Sequence, residues 1–160
     1  MTAVAAPVGH RPAVAPWVST AARLVLGAVL LIAGVAKVVD PQASVAAVRA
    51  YELLPAGLVT AVGWGLPFLE LVLGALLVAG LAVRPAAAAT AVLLVVFVAA
   101  VVSAAVRGLS IDCGCFGGGG PVPPGQTAYA AEILRDLALL AAAVWLVVRP
   151  QSRFSLGGGR

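Results

Sequence analysis

Four long apolar stretches alternate with short polar or glycine-rich segments along the chain. A helix that spans a bilayer needs about 20 apolar residues, and each stretch approaches that length. The predicted helices cover residues 21–39, 63–83, 86–106 and about 133–148, and the start of the last is drawn back towards Tyr129. This pattern predicts an all-α fold of the integral membrane class, a four-helix bundle.

Composition supports a surface that faces lipid. Hydrophobic residues make up 62% of the 160 residues and charged residues only 10%, whereas a soluble domain has about 25% charged residues. Ten basic and six acidic residues give a net charge of +4, and no run of Lys and Arg is interleaved with aromatic residues. We therefore expect the lipid bilayer as a partner and no nucleic acid.

The distribution of Lys and Arg predicts the orientation, because these residues are enriched in short cytoplasmic segments. A cytoplasmic N-terminus puts six of them inside and four outside, the outer four being Lys37, Arg49, Arg107 and Arg135. We expect a disordered cytoplasmic N-terminus over residues 1–19, a membrane domain over 20–148 with an extracytoplasmic loop at 107–128, and a cytoplasmic tail over 149–160. The expected location is the plasma membrane, crossed several times with both termini inside.

The first apolar stretch has an alternative interpretation. Residues 24–36 have the length of a signal-peptide core, but residues 37–41 offer no cleavage pattern of small residues, which favours a retained helix. Residues 40–62 are expected to form a loop that holds a short interfacial helix. A tight turn at Arg84-Pro85 should make the second and third long helices antiparallel neighbours.

Both cysteines of the chain lie in Cys113-Gly114-Cys115, on the predicted outer side, where disulfides persist. A disulfide between residues two apart is strained, and strained disulfides tend to be labile or catalytic. Gly114 permits the backbone angles that such a small ring needs. We interpret the pair as a redox-active dithiol without a metal, and the glycine run at 117–120 as a linker that leaves room for a partner.

Two alternatives stay open for this pair. Structural zinc needs four ligands, and the only histidine, His10, is predicted on the opposite face, so a metal site would need Asp112 and a second subunit or partner. An inert disulfide would close too small a ring to stabilise much chain. If the thiols react, Asp112 should raise their pKa and Arg107 should lower it, and the sequence leaves this balance open.

Four charged residues are predicted in the outer third of the membrane, beneath the cysteine loop: Lys37, Glu70, Arg135 and Asp136. A charge at that depth is costly and is expected to face a partner within the bundle. Glu70 should lie about 10 Å below the start of its helix and pair with Lys37 or Arg135. Such a pair either fixes helix register or forms a proton relay or an anchor under the loop. Pro67 should kink the helix and free a carbonyl.

Several of these motifs recur together in one known pattern. In chain order they are Gly34-Val35-Ala36-Lys37, Asp40-Pro41, Tyr51, Leu54-Pro55, Pro67, Leu69-Glu70, Arg107-Gly108, Asp112-Cys113-Gly114-Cys115-Phe116-Gly117 and Arg135-Asp136. This set resembles the MauE family of methylamine utilisation membrane proteins, within the wider DoxX-like group of four-helix proteins. The resemblance covers about residues 20–148, and the run around the two cysteines is its most specific part.

The resemblance implies a redox-associated membrane protein that acts beside a thioredoxin-like partner. In the family, this role is the maturation of the methylamine dehydrogenase small subunit, a disulfide-rich periplasmic protein. A chain with two cysteines cannot relay electrons through a second pair of its own, so we expect Cys113 and Cys115 to exchange disulfides with a thioredoxin-like extracytoplasmic protein. Two other functions stay open: a non-catalytic assembly factor, and a DoxX-like subunit of a quinone-linked oxidoreductase with quinone as cofactor.

Overall fold

The computed structural model describes residues 14–152, most of which are helical. The helices in this part of the chain are α1 (Val14–Val39), α2 (Pro41–Ala50), α3 (Ala56–Ala79), α4 (Val83–Val106) and α5 (Tyr129–Val148). Two short antiparallel strands, β1 (Ile111–Asp112) and β2 (Gly120–Pro121), form a hairpin in the loop between α4 and α5. The predicted all-α class is confirmed, with this hairpin as an unexpected addition.

Three of the described helices, α1, α3 and α4, are long and apolar enough to cross a membrane. Their surfaces keep many large apolar side chains exposed, which a soluble protein would not tolerate over such an area. The fourth long helix, α5, packs against α4 and α1, and α1 packs mainly against α3. The chain is therefore a membrane protein built as a bundle of four long helices, and α2 lies beside α3.

The two ends of the bundle differ in character. The apolar core joins Leu26 and Leu30 of α1, Leu77 of α3 and Leu146 of α5, far from the cysteine loop. The opposite end, which we call the loop end, contains the C-termini of α1 and α4 and the N-termini of α3 and α5. Four buried charged side chains lie towards this end, namely Lys37, Glu70, Glu132 and Asp136, whereas Arg23 of α1 is buried towards the other end.

Helix α1 begins earlier than the sequence suggested. It starts at Val14, so the expectation of disorder through residue 19 is wrong for residues 14–19. Pro16 lies near the N-terminal end of the described part of α1, and prolines are tolerated near helix N-termini. The rest of the expected disordered N-terminus (residues 1–13) and most of the expected tail (residues 153–160) lie outside the described residues.

Ser19 fastens this added turn to the end of α5. Its hydroxyl donates a hydrogen bond to the Arg149 carbonyl oxygen at 2.9 Å and accepts one from the Trp145 indole N–H at 3.1 Å. Both hydrogen bonds are made by Ser19, at the end of the bundle opposite the cysteine loop. They stabilise the part of α1 that precedes the apolar stretch by which the helix is identified in the sequence.

Helix α3 also begins earlier than expected, at Ala56 instead of residue 63. Pro55 is the N-cap residue of α3, and its carbonyl accepts hydrogen bonds from the N–H groups of Leu58 and Val59. The loop predicted over residues 40–62 is therefore shorter, but the short helix expected within it is present as α2.

The turn between α3 and α4 lies at residues 80–82, slightly before the predicted Arg84-Pro85. Gly80 adopts φ 69° and its N–H caps the carbonyls of Leu76 and Leu77, which is the usual glycine cap of a helix C-terminus. Pro85 falls in the first turn of α4, where a proline does not break the helix.

Glycines set the close approach of α1 and α3. A Cβ atom added at Gly27 would lie 3.0 Å from the Gly74 carbonyl oxygen, and one added at Gly74 would lie 2.9 Å from the Gly27 carbonyl oxygen. At Gly34 the corresponding distance to the Pro67 carbonyl oxygen is 3.0 Å. Small residues at such positions let helix backbones touch in a membrane, and this contact brings Lys37 of α1 against α3.

Pro67 lies inside α3, which continues through it as an α-helix. Its missing N–H leaves the Gly63 carbonyl without its helical donor. The Ser44 hydroxyl of α2 donates to that oxygen at 2.8 Å, and Gly63 has no side chain to keep α2 away, since a Cβ there would meet Val45 at 2.7 Å. The carbonyl that Pro67 was expected to free is confirmed as that of Gly63, and its hydrogen bond with Ser44 joins α2 to α3.

Candidate functional site

The two strands close a short loop around both cysteines. Ile111 pairs with Pro121 and Asp112 pairs with Gly120, so residues 113–119 form the tip of the hairpin. Tyr129, at the start of α5, fixes the base of the hairpin: its hydroxyl donates to the Leu109 carbonyl at 2.7 Å and accepts from the Ile111 N–H at 3.1 Å. Nothing in the amino-acid pattern around Tyr129 indicates this role.

The hairpin tip packs against α2 and does not project freely. Gly114 adopts φ +67°, and a Cβ there would lie 2.7 Å from the Ala47 Cβ. Gly119 adopts φ +94°, and its added Cβ would meet the same methyl group at 2.5 Å. The interpretation of the glycine run as a linker is therefore wrong for Gly119. Glycine is needed because the backbone itself touches α2, and both cysteines end up half-buried.

The two thiols lie in direct contact. The Sγ atoms of Cys113 and Cys115 are 2.8 Å apart, and the Cys115 N–H lies 3.3 Å from the Cys113 Sγ. The hydrogen bond from the Cys115 thiol lowers the pKa of Cys113, against the opposing effect of burial. The same hydrogen bond, together with burial, raises the pKa of Cys115. Cys113 is thus the thiol that ionises first, with Cys115 as its proton-bearing neighbour.

The ion pair between Lys37 and Glu70 lies directly beneath this loop. Lys37 Nζ is 2.8 Å and 2.9 Å from the two carboxylate oxygens of Glu70, and both side chains are almost fully buried. The same ammonium donates to the Cys115 carbonyl oxygen at 2.9 Å. The predicted pairing of Glu70 with Lys37 is confirmed, and the pair also holds the cysteine loop.

Glu70 lies deeper along its helix than the sequence suggested. Because α3 begins at Ala56, Glu70 follows the helix start by fourteen residues, or about 21 Å at 1.5 Å per residue. The expected depth of about 10 Å is wrong for this reason. The hairpin tip folds down beside α2 to reach the level of the ion pair.

Arg135 pairs with Asp136 and not with Glu70. Its Nε atom is 2.9 Å from the Asp136 Oδ1 atom, and its guanidinium lies 4.9 Å from the centre of the Phe116 ring. Asp136 is buried, with 2% of its surface exposed. Both charged residues therefore lie under the cysteine loop, as expected, and Arg135 helps to lower the pKa of Cys113.

Arg107 and Asp112 lie at the edge of the site. The Arg107 guanidinium donates to the Tyr51 carbonyl and lies 3.9 Å from the Glu52 carboxylate. Asp112 accepts a hydrogen bond from the Gly114 N–H at 3.3 Å. The carboxylate that raises the pKa of Cys113 is instead that of Glu132.

Glu132 is a functional candidate that the sequence did not single out. An acidic residue in the first turn of a helix is usually explained by the helix dipole, so nothing marked it. In the structure Glu132 is 7% exposed, and its Oε2 atom has no hydrogen-bond partner among the described residues. Its carboxylate lies close to the Cys113 thiol.

Asp112, Cys113 and Glu132 could together hold a metal ion, since their ligand atoms lie within 4.8 Å of one another. The expectation that metal binding would require a second subunit or a partner is therefore revised, because one chain supplies three ligands. A structural zinc site needs a fourth ligand, and Cys115, in contact with Cys113, is the nearest thiol.

The described fold and site define a class of protein: a four-helix membrane bundle with a Cys-Gly-Cys hairpin anchored on buried charges. Residues 15–149 match the family described as "Methylamine utilisation protein MauE". The match covers most of the chain, which therefore belongs to the MauE family. No curated protein and no solved structure shows a significant match to the chain.

The contact of Gly114 with Ala47 makes a testable prediction. Gly114→Ala should destabilise the protein by about 1–3 kcal/mol through overpacking, in addition to about 1–2 kcal/mol for a side chain at positive φ. Gly118→Ala is the matched control, because Gly118 has φ +71° but its added Cβ would meet nothing closer than 3.9 Å. Denaturant unfolding in detergent should separate the two variants.

Ala47→Gly in the Gly114→Ala background removes the methyl group that the new side chain meets. Ala47→Gly alone costs about 1 kcal/mol in a helix interior, so it is the reference: relative to it, the double variant should lose about as little stability as Gly118→Ala loses relative to the wild type. Equal stability of the two single variants would show that the hairpin does not pack on α2.

Proposed function

We propose that this MauE-family protein exchanges disulfides through Cys113 and Cys115 with a thioredoxin-like extracytoplasmic protein, and so supports the maturation of secreted disulfide-containing proteins. Cys113 attacks a partner disulfide as the thiolate and forms a mixed disulfide, and Cys115 then displaces the reduced partner. Run in reverse, the same steps pass the Cys113–Cys115 disulfide to a reduced partner, which is the direction that maturation requires. The observation that carries the proposal is the direct contact of the two Sγ atoms, 2.8 Å apart, with Cys113 as the more acidic thiol.

The surroundings of the pair support this reaction. Glu132 provides a carboxylate near Cys113 whose Oε2 atom has no hydrogen-bond partner among residues 14–152, and Arg135 provides a positive charge that favours the thiolate. Phe116, next to Cys115 in sequence, is 44% exposed and gives a partner an aromatic surface to contact. The roles of Asp112, Arg107, Lys37, Glu70 and Asp136 in this proposal are to hold the hairpin and its charges in place.

The proposal includes the orientation predicted from the basic residues. The cysteine loop faces the extracytoplasmic side of the plasma membrane, and both termini face the cytoplasm. In this arrangement the dithiol works in the compartment where protein disulfides form. The membrane domain over residues 20–148 then presents its loop end to secreted proteins.

Trapping of mixed disulfides in the native membrane tests the proposal. Cys115→Ser removes the resolving thiol, so a partner attached to Cys113 should accumulate and be identified as a thioredoxin-like protein by mass spectrometry. Cys113→Ser is the matched control and should trap far less, because the thiol that remains ionises poorly. A membrane-impermeant thiol reagent added from outside should block the trap.

Two results would contradict the proposal. If neither variant traps a partner and the double Cys→Ser variant keeps full biological activity, the function is that of a non-catalytic assembly factor. A stoichiometric metal that survives purification and disappears in Glu132→Gln would assign the cluster of Asp112, Cys113 and Glu132 to metal binding instead.

A further inference from the structure

A cavity of about 190 Å³ opens beside the two cysteines. Its walls come from α2, α3 and α4, with Leu66 and Phe97 among the apolar side chains that line it. Its polar lining side chains are those of Lys37, Ser44, Tyr51 and the two cysteines. A cavity of about 150 Å³ is large enough to hold benzene, so this one has room for a single substituted six-membered ring.

The mouth of the cavity faces the apolar surface of the bundle. Leu53, Leu54 and Val62 line the cavity and are 50%, 37% and 37% exposed, and Val96 on the other side is 56% exposed. Val62 and Val96 belong to α3 and α4, which are long and apolar enough to cross a membrane, so we infer that the mouth opens towards lipid on this side. A molecule that enters here arrives from the bilayer, with an apolar tail left outside.

We propose that this cavity binds the ring of a lipid-soluble quinone, which takes electrons from the Cys113–Cys115 dithiol. This inference rests on the proposed function, because it supplies the electron acceptor for the same pair. The two thiols form one S–S bond and release two electrons and two protons. The quinone takes up both electrons and both protons and leaves as the quinol.

The polar end of the cavity suits this reaction. Tyr51 lines it, and burial and the nearby thiols raise the pKa of its phenol, so the phenol stays protonated and can donate to a quinone oxygen. The Lys37 ammonium uses its hydrogen bonds on Glu70 and the Cys115 carbonyl. Its charge is balanced by the Glu70 carboxylate, so Tyr51 is the lining side chain that is left to donate to the ring.

The two cysteines also need an electron acceptor. When the Cys113–Cys115 disulfide oxidises a partner, the chain is left with two thiols that must be reoxidised, and the described residues contain no second cysteine pair to receive the electrons. An apolar cavity that touches both thiols gives the electrons a direct exit to the membrane. The cavity would have no such purpose if the hairpin were only a docking element.

The test uses the purified full-length protein in lipid nanodiscs, reduced and freed of reductant, with a ubiquinone analogue that has a fully substituted ring. Full substitution prevents thiol addition to the ring. We expect one quinol and one intramolecular disulfide per chain, measured by absorbance and by the mass of maleimide-labelled protein. In parallel, exchange with oxidised glutathione measures the thiol chemistry without quinone.

Ala100→Phe fills the cavity from α4 and should slow quinone reduction at least tenfold while exchange with glutathione stays within twofold of the wild type. Ala99→Phe is the matched control, because Ala99 is the next residue on α4 but does not line the cavity. Val62→Phe fills the mouth from α3 and gives a second test if Ala100→Phe does not fold.

Each outcome decides a separate point. Exchange with glutathione without quinone reduction would overturn the quinone inference and leave the proposed function standing. Equal quinone reduction by wild type, Ala100→Phe and Val62→Phe would overturn the cavity as the site. If the wild-type protein reacts with neither oxidised glutathione nor the quinone, the proposed function is overturned and this inference falls with it.

Discussion

Glu70→Gln should destabilise the protein by about 3–5 kcal/mol, because it leaves the Lys37 ammonium buried without its counter-charge. The two side chains are only 1% and 6% exposed, so little water can compensate. Lys37→Met should cost a similar amount, since it leaves the Glu70 carboxylate alone. Unfolding by denaturing detergent, followed by circular dichroism, measures both variants against the wild type.

Glu52→Gln is the matched control for this loss. Glu52 also faces a basic residue, Arg107, but its side chain is 68% exposed and the charged atoms are 3.9 Å apart. A change at such an exposed pair should alter stability by less than about 1 kcal/mol. If Glu70→Gln behaves like Glu52→Gln, the Lys37–Glu70 pair does not contribute a buried contact.

The double variant Lys37→Met/Glu70→Met separates stability from the anchoring of the loop. Replacing a whole buried ion pair by apolar side chains is often neutral for stability, so the double variant should unfold near the wild-type midpoint. It still lacks the donor to the Cys115 carbonyl, and its cysteines should therefore react faster with large maleimides. Wild-type thiol reactivity in this variant would show that the ion pair has no part in holding the hairpin.

Much of the bundle could be predicted because its signals are local. Apolar length identifies a spanning helix without knowledge of its neighbours, and the pairing of Lys37 with Glu70 follows from the cost of an isolated charge in lipid. Pro67 and the carbonyl it frees follow from the chemistry of one residue. The identity of the donor, Ser44 of α2, could not be predicted, because it depends on how α2 packs on α3.

The errors at the site come from contacts between distant segments. The glycine run resembles a linker until Ala47, in a separate helix, is seen to touch Gly114 and Gly119. Glu132 resembles an ordinary charge at a helix N-terminus until the hairpin brings Cys113 beside it. In the sequence, each of these residues has a sufficient local explanation. Its second role becomes visible only when the fold brings the distant segment into contact.

The two cysteines should differ in reactivity when each is the only one present. With Cys115→Ser, the serine hydroxyl can still donate to the Cys113 sulfur, so the pKa of Cys113 should stay below its ordinary value, which is about 8.5 for a free cysteine. With Cys115→Ala that donor is gone, and the pKa of Cys113 should rise, because burial and Glu132 then oppose ionisation. The rate of alkylation by iodoacetamide between pH 5 and 10 reports the two midpoints.

The size of the rate change follows from two opposing effects. A higher pKa reduces the thiolate fraction about tenfold for each pH unit, but the thiolate itself becomes more nucleophilic, with a Brønsted coefficient of about 0.4–0.5. At neutral pH, Cys115→Ala should therefore react about three- to fourfold more slowly than Cys115→Ser for each pH unit between their midpoints. Cys113→Ser should react slowest of all, because burial keeps the pKa of Cys115 high. If Cys115 alone proves more reactive than Cys113 alone, the order of attack is reversed and Cys115 is the nucleophile.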